Sequence, residues 1–133
     1  MRFIKSISVE LKIQNNTNGS SQLFLDVPQL RNKFVQGIEA FTEDQVAKTF
    51  TQTDVIAATG ANGILVNIVV NSDTILENIP YYTLIAANNA GLIREYKNLK
   101  ININKSGIYI GDNTNVPVGR SVLFTFYYTD KEV

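Results

Sequence analysis

Cysteine and histidine are both absent from this 133-residue chain. The absence of cysteine excludes disulfide bonds, thiolate nucleophiles, iron–sulfur clusters and cysteine-bound zinc. The absence of histidine removes the most common general base and metal ligand, and with it every standard Ser-His-Asp or Cys-His arrangement. Carboxylate pairs, lysine chemistry and magnesium sites are not excluded by these absences. Because the most common catalytic residues and metal ligands are missing, we nevertheless expect a protein that is not an enzyme and that holds no cofactor.

An excess of charge of either sign is also absent, because 12 basic residues balance 12 acidic ones. A nucleic-acid-binding protein that works by neutralising phosphates carries a basic excess, so we expect no nucleic-acid partner. A net charge near zero produces little repulsion between copies and permits association. With 44% hydrophobic residues the chain is also far from the composition of disordered proteins.

Long hydrophobic runs are missing as well. The longest, residues 64–70, is interrupted by Asn67 and has the length of a buried strand, well short of the roughly 20 residues of a membrane span. The first residues show no continuous apolar segment of the kind found in secretory signals. The sequence predicts a soluble chain without membrane insertion or an export signal.

What the chain does contain is alternation of apolar and polar residues, the period of half-buried β-strands. Strands are predicted at residues 7–13, 23–27, 34–42, 64–70, 75–79, 80–85, 99–103, 108–110 and 121–128. The first two are expected to pair as a hairpin, and Gly37 inside the third indicates a bulge. Residues 43–61 are less determined, with one helical turn at 43–47 and a short strand at 55–57 as the options. The pattern predicts one all-β sandwich domain over residues 1–133, with an eight-stranded jelly roll as the preferred topology.

Carboxylates are the first candidates for chemistry, since two of them facing each other can act as acid and base. Glu39, Glu43 and Asp44 are close in sequence, as are Asp73 and Glu77. Nothing in the spacing places any two across a cleft. We therefore interpret them as solvated residues of strand ends and loops.

The oxygen-rich segment 112–115, which reads Asp-Asn-Thr-Asn, is the second candidate. Its side chains could approach a calcium ion or a sugar, but it lacks the spacing and the closing Glu of an EF-hand loop. A turn stabilised by Asx side chains explains the same composition without a ligand, and it is the favoured interpretation.

Two adjacent tyrosine pairs, at residues 81–82 and 127–128, are the third candidate. Neighbouring side chains of a strand point to opposite faces, so each pair should direct one ring inward and one outward. Tyrosine is favoured at protein interfaces, and we take Tyr81, Tyr82 and Tyr127 as candidate interface residues. A platform on which a sugar stacks is the alternative.

Residues 30–41, in which a basic turn leads into a Gly-Ile-Glu strand, form one notable stretch of the chain. The other runs from residues 79–82 through 91–96 to 121–128. In these stretches the chain resembles small capsid-associated proteins of tailless icosahedral bacteriophages. The resemblance implies a jelly-roll subunit of the virion, such as a penton or other minor shell protein. It also implies a homo-oligomer, such as a pentamer, that contacts other capsid proteins. It supplies no catalytic residues.

A carbohydrate-binding module or adhesin domain is the alternative function. It would use the 112–115 loop and exposed tyrosines.

Overall fold

The structure is a computed structural model that describes residues 4–43, 49–51, 63–70, 74–86, 91–113, 116 and 118–133. These ranges contain strands and short 3₁₀ helices, and no α-helix. The 3₁₀ helices span Pro28–Leu30, Tyr81–Leu84 and Ile103–Lys105. The strands are β1 (Lys5–Lys12), β2 (Ser21–Leu23), β3 (Phe34–Glu43), β4 (Phe50–Thr51), β5 (Ile64–Val70), β6 (Thr74–Pro80), β7 (Arg94–Leu99), β8 (Gly107–Ile110) and β9 (Ser121–Thr129).

The strands form two antiparallel sheets that pack face to face. In sheet A, β9 lies between β1 and β3, and both β7 and β4 pair with β3 along its other edge. β7 pairs near the beginning of β3, and β4 pairs at its end. Sheet B has the order β2-β8-β5-β6. The prediction of an all-β sandwich is confirmed.

The pairing of the strands is nested along the chain. β1 pairs with β9, β2 with β8 and β3 with β7, and β5 and β6 form the hairpin at the centre of the nest. Successive pairs fall alternately in sheet A and sheet B. A long antiparallel ribbon of eight strands is therefore folded over itself, with β4 as a short addition.

The space between the sheets is filled by the side chains that point inward from each strand. Phe124 and Phe126 of β9 are fully buried, and Phe24 packs edge-to-face on both, with ring centroids 5.2 and 6.1 Å apart. Aromatic pairs in this geometry contribute roughly 0.5–1.5 kcal/mol beyond the area they bury. β5 supplies a purely aliphatic row from the opposite sheet: Ile64, Val66, Ile68 and Val70.

The bulge indicated by Gly37 is confirmed, because the register of β3 shifts between Val35 and Gly37. Gln36 occupies the bulge and is held by side-chain hydrogen bonds. Its Nε2 donates to Asn98 Oδ1 at 2.7 Å and to Thr129 Oγ1 at 3.1 Å, and its Oε1 accepts from the Asn98 N–H at 3.2 Å. The bulge is thereby tied to both neighbouring strands.

The predicted hairpin of the first two strands is wrong. β1 lies in sheet A and β2 in sheet B, so the Asn-rich loop between them crosses from one sheet to the other. The second strand is also shorter and earlier than predicted. It ends at Leu23, and Phe24 then turns into the core.

The strand predicted at residues 80–85 is a 3₁₀ helix, Tyr81–Leu84. Pro80 ends β6, an edge strand of sheet B, as a proline at an edge should. The turn is closed by two hydrogen bonds, from the Ile85 N–H to the Tyr82 carbonyl at 3.2 Å and from Thr83 Oγ1 to the Pro80 carbonyl at 2.7 Å.

The strand predicted at residues 99–103 is wrong for a different reason. Leu99 ends β7 in sheet A, Ile101 forms a single bridge to Val70 of sheet B, and Ile103 begins a 3₁₀ helix. The alternating side chains therefore belong to a segment that crosses between the sheets. The short strand predicted at 55–57 lies outside the described residues. The helical turn predicted at 43–47 also lies outside them except for Glu43, which is the last residue of β3.

Candidate functional site

Tyr81, one of the three candidate interface residues, lies in the core. Its ring is fully buried and packs edge-to-face on Phe124, with centroids 5.7 Å apart, and its hydroxyl donates a hydrogen bond to the Phe41 carbonyl. The 3₁₀ helix turns this ring inward and leaves Tyr82 half-exposed. Tyr81 therefore has no exposed surface that a partner could contact. The prediction that it is an interface residue is wrong, because its side chain is buried in the core.

Tyr127 points outward from β9, whereas its neighbour Tyr128 points into the sandwich and is only 9% exposed. The Tyr127 hydroxyl donates to Glu39 Oε2 on β3 at 2.7 Å. Burial of the phenol, followed by the hydrogen bond and the charge of Glu39, raises the pKa of Tyr127 to about 12. The phenol therefore keeps the proton that it donates to Glu39 well above physiological pH.

Tyr127 belongs to a larger surface, the outer face of sheet A, made by outward side chains of β3 and β9: Glu39, Phe41, Leu123, Thr125 and Tyr127. Phe41 is paired directly with Leu123, and Glu39 with Thr125. The outer residues of a β-sandwich are usually polar. Here Phe41, Leu123 and Tyr127 place a half-buried apolar surface on that side, next to the buried carboxylate of Glu39.

The described candidate carboxylates lie on two different sheets, with Glu39 and Glu43 on β3 of sheet A and Glu77 on β6 of sheet B. The carboxylate of Glu39 accepts the hydrogen bond from the Tyr127 hydroxyl, and Glu77 is exposed on the other sheet. Asp44 and Asp73 lie outside the described residues. Within those residues, no group of three or more acidic side chains is arranged to hold a metal ion.

The segment 112–115 is described only as far as Asn113. The Asn113 N–H donates to Asn18 Oδ1 at 2.7 Å, and its carbonyl accepts from the Val116 N–H at 3.1 Å. Asn16 Nδ2 donates to the Val116 carbonyl at 2.7 Å from the same loop as Asn18. The two Asn-rich loops thus hold each other, which is the structural use expected of such side chains.

A cavity at one end of the sandwich was missed by the sequence analysis. It has a volume of about 580 Å³ and lies between the segments 24–33 and 100–106, which connect the two sheets. We call it the end cavity. Its lining consists of Asp26, Leu30, Arg31, Asn32, Lys33, Lys100, Ile101, Asn102, Ile103 and Asn104. The alternation of Lys, Ile and Asn in the second segment predicts the two faces of one strand, and such a strand would leave no cavity here.

None of the helices in the described residues has both the length and the apolar character needed to cross a membrane. Comparison of the chain with protein-family models, with curated proteins and with solved structures finds no match.

Proposed function

We propose that the protein is a structural subunit of an icosahedral bacteriophage virion, a penton or minor capsid protein without catalytic activity. In this role it assembles with copies of itself and contacts other shell proteins. The observation that carries the proposal is the nested strand pairing. The order β1-β9-β3-β7 facing β2-β8-β5-β6 supports a jelly roll, the architecture of many viral capsid proteins.

Self-association is supported by the outer face of sheet A. We propose a second copy of the chain as its occupant, because balanced charges leave little repulsion between copies. The half-buried Phe41, Leu123 and Tyr127 supply the apolar and aromatic centre that stable interfaces use. The hydrogen bond to Glu39 holds Tyr127 in one rotamer, which reduces the entropy lost on association.

A stable interface covers about 800 Å² on each partner. The accessible surface of the chain totals 7231 Å², so such an interface would occupy about a tenth of it. The outer face of sheet A can be part of this area, and a ring of five would add a second patch, since closed rings use heterologous contacts.

The proposal is tested by light scattering coupled to size exclusion over a series of protein concentrations. We expect masses that are multiples of 14.8 kDa. Leu123→Arg should shift the association midpoint by about thirtyfold or more, the effect of losing roughly 2 kcal/mol at an interface centre. Circular dichroism would verify that the variant is folded.

Leu23→Arg is the matched control, because Leu23 is 55% exposed on sheet B and away from the proposed interface. A wild-type chain that stays monomeric at every concentration would contradict self-assembly. Dissociation by Leu23→Arg and not by Leu123→Arg would show that the outer face of sheet A is not the interface. Coexpression with the proteins encoded beside this one, followed by electron microscopy, tests the shell role, for which we expect the chain within the particles.

A further inference from the structure

The walls of the end cavity are held in place by hydrogen bonds and an ion pair within the chain. In the segment 100–106, Ser106 Oγ donates to the Asn102 carbonyl at 2.9 Å and accepts from the Val69 N–H at 3.0 Å. In the segment 24–33, the N–H groups of Leu30 and Arg31 close the 3₁₀ helix, and an ion pair joins Arg31 to Asp26. Preformed cavities of roughly 300–1,000 Å³ are the usual sites for small molecules.

The floor of the cavity is apolar and its rim is rich in amides. Leu30, Ile101 and Ile103 are at most 9% exposed and form the floor. The rim carries three asparagines, at positions 32, 102 and 104, whose side chains make no hydrogen bond within the described residues. Each amide has two N–H donors and one carbonyl acceptor, which is the complement of a hydroxyl group. Amides above an apolar floor suit a ring that has one apolar side and several hydroxyls.

The charge of the rim is positive, with three cations and one carboxylate. Arg31 is paired with Asp26, and Lys33 with Asp130. Lys100 forms no ion pair with any described residue, and its ammonium lies 5.8 Å from the centre of the Phe34 ring. A cation placed over a ring keeps its N–H donors for another acceptor. The rim can therefore hold one carboxylate at Lys100.

From these features we infer that the end cavity binds an acidic saccharide, with the carboxylate on Lys100, hydroxyls on the three asparagine amides and the ring on the apolar floor. This site differs from the 112–115 loop and from the tyrosines considered from the sequence. It is independent of self-assembly, since it lies at the end of the sandwich and the proposed interface lies on the outer side of sheet A.

The test is a titration of the isotopically labelled chain with digalacturonic acid, followed by NMR. We expect saturable shifts confined to residues 26–33 and 100–104, and weaker binding as ionic strength rises from about 0.01 to 0.15 M, where screening shortens from about 30 to 8 Å. Lys100→Gln should weaken binding about tenfold, and Asn104→Ala should weaken it by a smaller factor. Both residues are exposed, so the fold is kept.

Lys105→Gln is the control. This substitution removes the same charge from the same loop, but Lys105 does not line the end cavity. Lactose and inorganic phosphate are the other arms, and both should bind at least tenfold more weakly than digalacturonic acid. The inference is overturned if no saturable shifts appear, if Lys105→Gln weakens binding as much as Lys100→Gln, or if lactose or phosphate binds as well as the acidic sugar.

Discussion

Replacement of Tyr81 by Phe distinguishes a core role for this residue from the interface role expected of it. The substitution keeps the ring, which is fully buried and edge-to-face with Phe124, and removes only the hydroxyl that donates to the Phe41 carbonyl. Loss of one partner of a buried hydrogen bond costs about 1–3 kcal/mol. We therefore expect Tyr81→Phe to lower the free energy of unfolding by that amount, without any change in the association state.

The magnitude can be measured because it is a large part of the stability of a small domain, which is typically about 5–15 kcal/mol. Tyr81→Ala would be less informative, since truncation of a buried aromatic side chain costs about 3–5 kcal/mol and leaves a partly unfolded sample. The chain contains no tryptophan, so urea unfolding is best followed by far-ultraviolet circular dichroism. If the slope of the unfolding free energy against urea concentration is the same for the wild type and Tyr81→Phe, the two proteins expose a similar area on unfolding and therefore start from similar native states.

Tyr109→Phe is the matched control for this measurement. Tyr109 is half-buried on the outer side of β8, and its hydroxyl makes no hydrogen bond with a described residue. The same chemical change should then alter stability by no more than about 0.5 kcal/mol. Equal effects at the two positions, or an effect of Tyr81→Phe on association alone, would refute the assignment of Tyr81 to the core.

Three further predictions concern single groups. Hydrogen bonds from Lys5 and Lys33 lower the pKa of Asp130 from 3.8 to about 2, so its contribution to stability is present above about pH 4 and is lost as the pH falls through 2. The difference in thermal midpoint between wild type and Asp130→Asn should therefore shrink over that interval. Tyr127 should ionise near pH 12, and Tyr127→Phe should remove that step from an ultraviolet titration. A Cβ at Gly107 would lie 2.0 Å from a carbonyl oxygen of β2, so Gly107→Ala should separate β2 from β8 and expose their amides to hydrogen exchange.

Strands that stay within one sheet could be predicted from the sequence. The range 64–70 is predicted and observed without a shift, and β3 and β9 each extend one residue beyond the predicted end. In β5 and β9 the same face stays against the core throughout, so the alternation of side chains predicts which of them point inward. In β3 the bulge at Gln36 reverses the alternation, so that Val35 and Ile38 both face the core.

Segments that cross between the sheets could not be predicted in this way. Leu99, Ile101 and Ile103 are all directed toward apolar surroundings, yet they belong to a strand of sheet A, a bridge to sheet B and a 3₁₀ helix. Hydrophobic periodicity records which residues are buried and carries no information on which sheet covers them. The end cavity lies between two such crossings, which is why no local pattern indicated it.

The two tyrosine pairs show how the same limit affects a candidate site. Alternation predicted one inward ring in each pair, and in β9 the regular backbone directs Tyr128 inward and Tyr127 outward. The pair at 81–82 is also divided, but by a 3₁₀ helix whose orientation depends on the contact between Tyr81 and β3. That contact joins residues 40 positions apart, so it is absent from any local window of sequence. It also ties the helix to Phe41, whose own side chain lies on the outer face of sheet A. The buried tyrosine thus supports from inside the strand whose outer side we propose as the interface.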